Sequence, residues 1–256
     1  MYTLQCRNHI LKPLAEKYGI DTSDEAIRAA VDQHNEVCRL IRQIGDFRKE
    51  ANPRVTGYEF HILTMASYVA PKHLILDKLR ETLEEIKTRE PDAADKYRAR
   101  VVFVGSEVDD VDVIKLVEES GAYVCADRFC YGSLPGRAEI ILNDEEDVVK
   151  QICRQVQGRA QCPRYWDMAK MTGRRDYVAD LAKEYGADGI IYEQMKFCDP
   201  WAYERMIGTI VLRDEHGYPV LAVDRPYSIG SSGQMRTRVQ AFVESIEIKK
   251  IQGGKK

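Results

Sequence analysis

No uninterrupted apolar run in this chain approaches the ~20 residues needed to span a bilayer. The opening MYTLQCRNHILKPLAEKYG places Arg7, His9 and Lys12 among its apolar residues and so has no signal-peptide core. A cytoplasmic protein without a membrane segment is the expectation. Basic excess is also lacking: 38 Lys and Arg against 41 Asp and Glu leave a formal net charge of -3 and a pI near 6.0. Without a basic face or stripe there is no electrostatic reason to expect nucleic acid. The seven cysteines include no CxxC pair, and the nearest two, Cys125 and Cys130, are separated by four residues. That spacing excludes a self-contained zinc knuckle and a thioredoxin-type redox motif. HExxH, GxxxxGK[ST] and GxGxxG are all absent, so nothing here encodes direct ATP binding or a helix-borne zinc site.

What is present, 256 residues with 44% hydrophobic and 31% charged side chains, is the composition of a soluble domain or a pair of them. Residues 1–97 read as helical. Thr22 with Glu25 resembles a capping box, after which Ile27, Val31, Cys38, Ile41 and Ile44 recur at roughly helical spacing. Thr56 with Glu59 repeats the pattern ahead of FHILTMASYV, and LILDKLRETLEEIKTRE forms a third helix before Pro91. From residue 98 to 250 the pattern changes to short apolar runs alternating with amphipathic helices: RVVFVG, VDVIKLVEESG, AYVCADRF, EEDVVKQICRQV, and later DGIIYEQM and PVLAVDRP between further helical stretches. Such alternation predicts an α/β fold, a flavodoxin-like or Rossmann-like parallel sheet covered on both faces. Residues 251–256 form a polar tail.

In such a fold ligands gather at the carboxyl ends of the strands. The loops expected there are Gly105 to Asp109, Asp127 to Gly136, Gln194 to Pro200 and Asp224 to Gln234. Cys198 lies directly after an apolar strand and before a helix, where a thiol faces the crevice and is soft enough for iron or zinc. A buried small hydrophobe is the alternative fate of a free cysteine. Cys130 follows the second strand and Cys162 precedes a proline in a connection, so these rank next, while Cys125 within a strand and Cys153 within a helix read as core. Gly230, Ser231, Ser232 and Gly233, with Arg236 and Arg238 behind them, could bring backbone N–H groups to an anion such as a phosphate or a thioester oxygen. A flexible connector with a capped helix explains the same residues. The histidines have no metal-like spacing, and Asp109, Asp110 and Asp112 suit the dipole of a first helical turn. Asp127 and Asp224, at strand ends, are the better carboxylate candidates.

Taken together, GSEVDDVDVIKLVEESGAYVCADRFCYGS, DGIIYEQMKFCDP and SSGQMRTRVQAFVES resemble the family of 2-hydroxyacyl-CoA dehydratase component D subunits and benzoyl-CoA reductase subunits. Order and spacing agree along essentially the whole chain. The strongest matches are Asp188 and Gly189, then Phe197, Cys198 and Pro200, then Gly233, Gln234, Thr237, Arg238 and Glu244. The resemblance implies a heterodimer with a homologous partner subunit, both members carrying a four-iron four-sulfur (4Fe-4S) cluster held by three cysteines, and an ATP-hydrolysing activator that delivers low-potential electrons to a CoA-thioester substrate. It implies Cys198 as one cluster ligand and places Ser231, Ser232, Gly233, Gln234 and Arg238 near the substrate. The family's N-terminal cysteine-bearing domain is expected to be missing, in which case the chain would not act alone, and either Cys130 and Cys162 or the absent domain or partner subunit would complete the metal site, since one thiolate cannot hold a cluster. Reduction of benzoyl-CoA is preferred over dehydration of a 2-hydroxyacyl-CoA from the segment near GQMRTRVQAFVESIE. A catalytically silent scaffolding partner and, by fold analogy, a flavin-binding electron carrier are the alternatives.

Overall fold

A computed structural model of the chain describes all residues except 92–95, 131–137, 160, 166, 228–231 and 254–256, and the side chains of 232 and 253. It opens with short helices, α1 (Tyr2–Cys6), a π turn (Arg7–Leu11) and α2 (Lys12–Tyr18), none of which contributes a buried residue. Three longer helices follow: α3 (Asp24–Asp46), α4 (Gly57–Val69) and α5 (Lys72–Thr88). The predicted stripe on α3 is the buried one, with Val31, Cys38, Ile41 and Ile44 inside, and it packs with Phe60, Leu76, Leu79, Leu83 and Ile86 into a helical core. The cap of α3 differs from the expectation. Ser23, not Thr22, is the N-cap, its hydroxyl accepting from the Ala26 amide while Asp21 accepts from the Ser23 amide. Glu25 then falls one position early for a box. At α4 the box forms as expected, with the Thr56 hydroxyl accepting from the Glu59 amide at 3.0 Å and the Glu59 carboxylate accepting from the Thr56 amide at 2.9 Å.

The second part alternates β1 (Ala99–Gly105), α6 (Val111–Glu119), β2 (Ala122–Phe129), α7 (Val148–Gly158), α8 (Met168–Glu184), β3 (Gly189–Met195), α9 (Asp199–Asp214), β4 (Val220–Arg225) and α10 (Ser232–Gly253). Its sheet is all parallel in the order β2-β1-β3-β4. The chain moves outward from β1 to β2 and then returns past β1 to β3, so the topological switch lies between β1 and β3. Period-two alternation assigns each strand residue a face. Val101 and Phe103 pack with Ile114, Val117, Val239 and Val243 from α6 and α10, whereas Val102 and Val104 pack with Val178, Ala182, Trp201 and Leu212 from α8 and α9. With both faces covered, continuous apolar runs rather than alternating ones are what the fold requires. The β1–β2 register shifts between Val101 and Val102, leaving Cys125 opposite no partner; its thiol donates to the Val101 carbonyl at 3.3 Å, and burial pushes its pKa up to about 11.

The helical part is joined to the sheet through buried polar contacts. Glu118 on α6 accepts from the amides of Gly57, Tyr58 and Val124 at 2.8, 3.1 and 3.2 Å, satisfying the first turn of α4. Arg48 pairs with Asp127 at 3.0 Å, both fully enclosed, and the Arg48 guanidinium lies 3.5 Å over the Phe60 ring. The Tyr123 hydroxyl donates to the Val55 carbonyl at 2.7 Å. No helix among the described residues is long and apolar enough to cross a membrane.

Candidate functional site

At the carboxyl ends of β1 and β3 the two strands approach so closely that a Cβ on Gly105 would lie 2.4 Å from the Glu193 carbonyl oxygen and 2.6 Å from its Oε2. Only glycine fits there. Ser106, the next residue, ties the switch together: its hydroxyl donates to Glu193 Oε2 at 2.8 Å and accepts from the Met195 amide at 2.7 Å. Arg225, from the end of β4, pairs with Glu193 at 2.8 Å and donates to the carbonyls of Glu107, Pro226 and Tyr227, so loops after three strands are held by one buried network. Burial nevertheless raises the Glu193 pKa to about 7, against the lowering by Arg225 and Ser106.

The β3–α9 loop leaves this floor at once. Phe197 has a φ of 70°, the left-handed region that a bulky residue adopts only under constraint, and its ring is 97% exposed. The next residue, Cys198, is the N-cap of α9; Pro200 follows within the first turn, where its missing N–H costs nothing. Cys198 is half-buried against the α8–α9 side of the sheet.

Behind it lies a second thiol cluster. The Trp201 indole N–H donates to Cys130 Sγ at 2.8 Å, and Cys130 in turn is hydrogen-bonded to Cys162. Cys162 titrates well below an ordinary thiol, chiefly because the Cys130 S–H donates to its sulfur, helped by the Arg164 amide and by the charges of Arg164 and Arg128, while Cys130 is correspondingly raised. Arg128 is enclosed beside them, 4.8 Å over the Trp201 ring, donating to the Gln161 carbonyl at 2.6 Å and to its side-chain oxygen. Arg48, Arg174 and Arg175, and Arg225 all have buried carboxylate partners, in Asp127, Glu204 and Glu193. Among the described residues no carboxylate pairs with Arg128, whose buried guanidinium is met instead by Gln161 and the Trp201 ring.

Of the three cysteines picked out in the sequence, Cys130 and Cys198 pack against the same hydrophobic cluster, and Cys162 is in contact with Cys130. The structure does not assemble them into one ligand set: among the described residues no group of three metal-ligating side chains converges. Two thiols in contact and a third at a helix cap do not by themselves fit a three-thiolate cluster. At the other candidate loop, Ser231 lies outside the described residues and Ser232 begins α10, its side chain not described. Gly233 and Gln234 are exposed, and Arg238 donates to the Ala222 carbonyl at 2.6 Å, while Arg236 pairs with Glu119. Asp127 serves the Arg48 latch, and Asp224 is exposed, 3.9 Å from Lys196. Ser106, Glu193, Arg225, Arg128 and Trp201 were missed. The legible signal was a charge inside an apolar strand, Glu193 in GIIYEQM and Arg128 in AYVCADRF. A cavity of about 220 Å³, lined by Tyr97, Arg98, Arg100, Tyr123, Asp188 and Lys250, opens at the opposite edge of the sheet, near the strands' amino ends.

These features define a doubly covered parallel α/β domain with a thiol at its switch point and a helical region latched to one side. The chain belongs to the family described as 2-hydroxyglutaryl-CoA dehydratase, D-component, whose model matches residues 2–246. It is 25% identical to the (R)-phenyllactyl-CoA dehydratase beta subunit of Clostridium sporogenes over 92% of this chain and 61% of that protein. It is likewise 25% identical to the (R)-2-hydroxyglutaryl-CoA dehydratase subunit beta of Acidaminococcus fermentans, over 96% of this chain and 64% of that one. Identity to a benzoyl-CoA reductase subunit of Thauera aromatica is 23%, over 94% of this chain and 62% of that one. The chain thus spans somewhat over three-fifths of the length of these relatives.

Proposed function

We propose that this chain is part of a multi-subunit enzyme that reduces or dehydrates a CoA thioester, and that the crevice between the β1 and β3 loops receives the acyl end of the substrate. Family membership supports the class, and the relatives' names, beta subunits and a reductase subunit, support a partner subunit. An ATP-hydrolysing activator as electron source and a cytoplasmic location go with that reading, as does a helical unit at 1–97 followed by the α/β unit at 98–250. The observation that carries the proposal is the position of Cys198: N-cap of α9, half-buried, beside the β1–β3 switch, and preceded by a strained, fully exposed Phe197. Backbone strain of this kind persists only where the surroundings enforce it, and it concentrates at functional sites.

In this reading Cys198 offers one thiolate to an iron–sulfur group whose remaining ligands come from Cys130 and Cys162 after rearrangement, or from residues outside this chain. The described donor set is incomplete, so no reaction step is assigned to the group. What the chain itself contributes is a rigid floor. Ser106, Glu193 and Arg225 hold the three strand ends, Arg238 fixes α10 to β4, and Ser231, Ser232, Gly233 and Gln234 are proposed to contact the thioester.

The test is iron and acid-labile sulfide content, with the absorbance spectrum, of protein purified without oxygen, alone and co-expressed with a full-length partner subunit. Cluster bound in either case and lost in Cys198→Ala supports the assignment, and loss in Cys130→Ala or Cys162→Ala as well would show that those thiols rearrange into the site. No iron in either preparation would identify a scaffolding subunit and overturn the catalytic reading.

A further inference from the structure

Cys6 and Cys153 lie 147 residues apart in sequence, on different helices, with their sulfurs 3.7 Å from each other. That is van der Waals contact, and a modest change in side-chain torsions would bring them to the ~2.05 Å of a bond. Cys6 ends α1, a helix with no buried residue, whereas Cys153 sits on the inner face of α7 and is 6% exposed. The contact is framed by a second link between the same two elements, the ion pair of Arg7 with Asp147, the residue that caps α7. Because α1, the π turn and α2 are held by so little apolar burial, a covalent link here would decide whether the first eighteen residues stay on the body of the protein.

We infer that Cys6 and Cys153 form a peroxide-sensitive dithiol, a modification site that closes to a disulfide and pins the amino-terminal helices to α7. The chemistry assigns different roles to the two sulfurs. Cys6, half-exposed, is the one a hydroperoxide reaches; its thiolate attacks the O–O bond, becoming a sulfenic acid as water or an alcohol leaves. Cys153 sulfur then attacks the Cys6 sulfur and expels the hydroxyl as a second water. Two thiols lose two electrons and two protons, and one peroxide is reduced. Burial pushes the Cys153 pKa up and keeps it from reacting with peroxide first, and its sulfur, 3.7 Å from that of Cys6, is placed to carry out the second step. Exchange with a small thiol reverses the link.

The inference is independent of any metal or substrate. Fully reduced protein is treated with equimolar hydrogen peroxide, remaining thiols are alkylated, and peptides are mapped by mass spectrometry without reduction. The expected product is a peptide pair joining Cys6 to Cys153, two hydrogens lighter than the sum of its parts and released by dithiothreitol. Cleavage by trypsin after Lys17 should slow several-fold in the linked form. In Cys153→Ser, Cys6 should accumulate as a dimedone-trapped sulfenic acid, and in Cys6→Ser, Cys153 should stay reduced. Recovery of both cysteines as alkylated thiols while other cysteines oxidise, or Cys6 linked to any other residue, would overturn the inference; because the first measurement uses the unaltered chain, it does not depend on a variant folding.

Discussion

Glu118 joins the helical part to the sheet, and two opposing effects act on its carboxylate. Three backbone N–H donors at 2.8 to 3.2 Å and the amino end of α4 favour the ionised form. Enclosure at 9% exposure favours the protonated one, and burial wins, raising the pKa to about 7 from an ordinary 4.5. A tenfold difference in proton affinity is worth ~1.4 kcal/mol, so the shift corresponds to about 3 kcal/mol of pH-dependent stability. Because the folded state binds this proton more tightly than the unfolded one, the contribution is complete below about pH 4.5. It declines as pH rises through about 7 and is gone above that. Glu118→Gln carries no titrating proton and lacks this slope. Urea unfolding of both proteins at pH 5, 6, 7 and 8 measures the difference, and the stability of wild type minus variant should fall by about 3 kcal/mol between the ends of that range. Subtraction removes the similar contribution of Glu193, which is present in both. A difference that stays constant, or grows with pH, would refute the reasoning: it would mean that the three N–H bonds and the helix dipole outweigh burial and keep the carboxylate charged.

Gly105→Ala should destabilise the domain by more than ~3 kcal/mol, since the new Cβ meets strand backbone that cannot give way, while Gly233→Ala, with open space around it in the first turn of α10, should raise stability by ~0.5 kcal/mol; thermal unfolding of the two side by side checks the contrast. Cys162 should be alkylated by iodoacetamide with a midpoint well below the ~8.5 of an ordinary thiol, and Cys130→Ala, which removes the donor to its sulfur, should move that midpoint upward; a midpoint unchanged by the substitution would remove the hydrogen-bond explanation. Removing one partner of the buried Arg48–Asp127 pair, by Asp127→Asn or Arg48→Met, should cost ~3–5 kcal/mol in denaturant unfolding, and the paired replacement Arg48→Met with Asp127→Leu should recover much of it, because the cost lies in the stranded charge.

The alternation of apolar strands with amphipathic helices after Ala99 was readable because each strand is buried on both faces, so its pattern needs no knowledge of neighbours: Val101 to Val104 are apolar whichever helices cover them. The capping box at Thr56 was readable for the same reason, since both hydrogen bonds close within four residues. At α3 a one-residue ambiguity between Thr22 and Ser23 could not be resolved locally, because either hydroxyl can cap and the choice depends on where the chain enters the helix. The site was legible only in part. Cys198 stood out because a strand end meets a helix start there; that Cys130 and Cys162 share a hydrogen bond, and that Asp127 belongs to a structural latch, depends on which segments the sheet order brings together.

Local periodicity and residue chemistry by themselves determined that this is a helical region followed by a parallel α/β unit, and that Cys198 lies between a strand end and a helix start. Tertiary structure alone decided where the switch point falls, that Arg128 lies buried on Trp201 beside Cys130, and that Glu193, Ser106 and Arg225 tie three strand ends together. The division follows from range. Periodicity and capping are set by residues a few positions apart, whereas the desolvation that perturbs a carboxylate or a thiol is set by groups tens of residues away, whose arrival depends on strand order and on the packing of both faces.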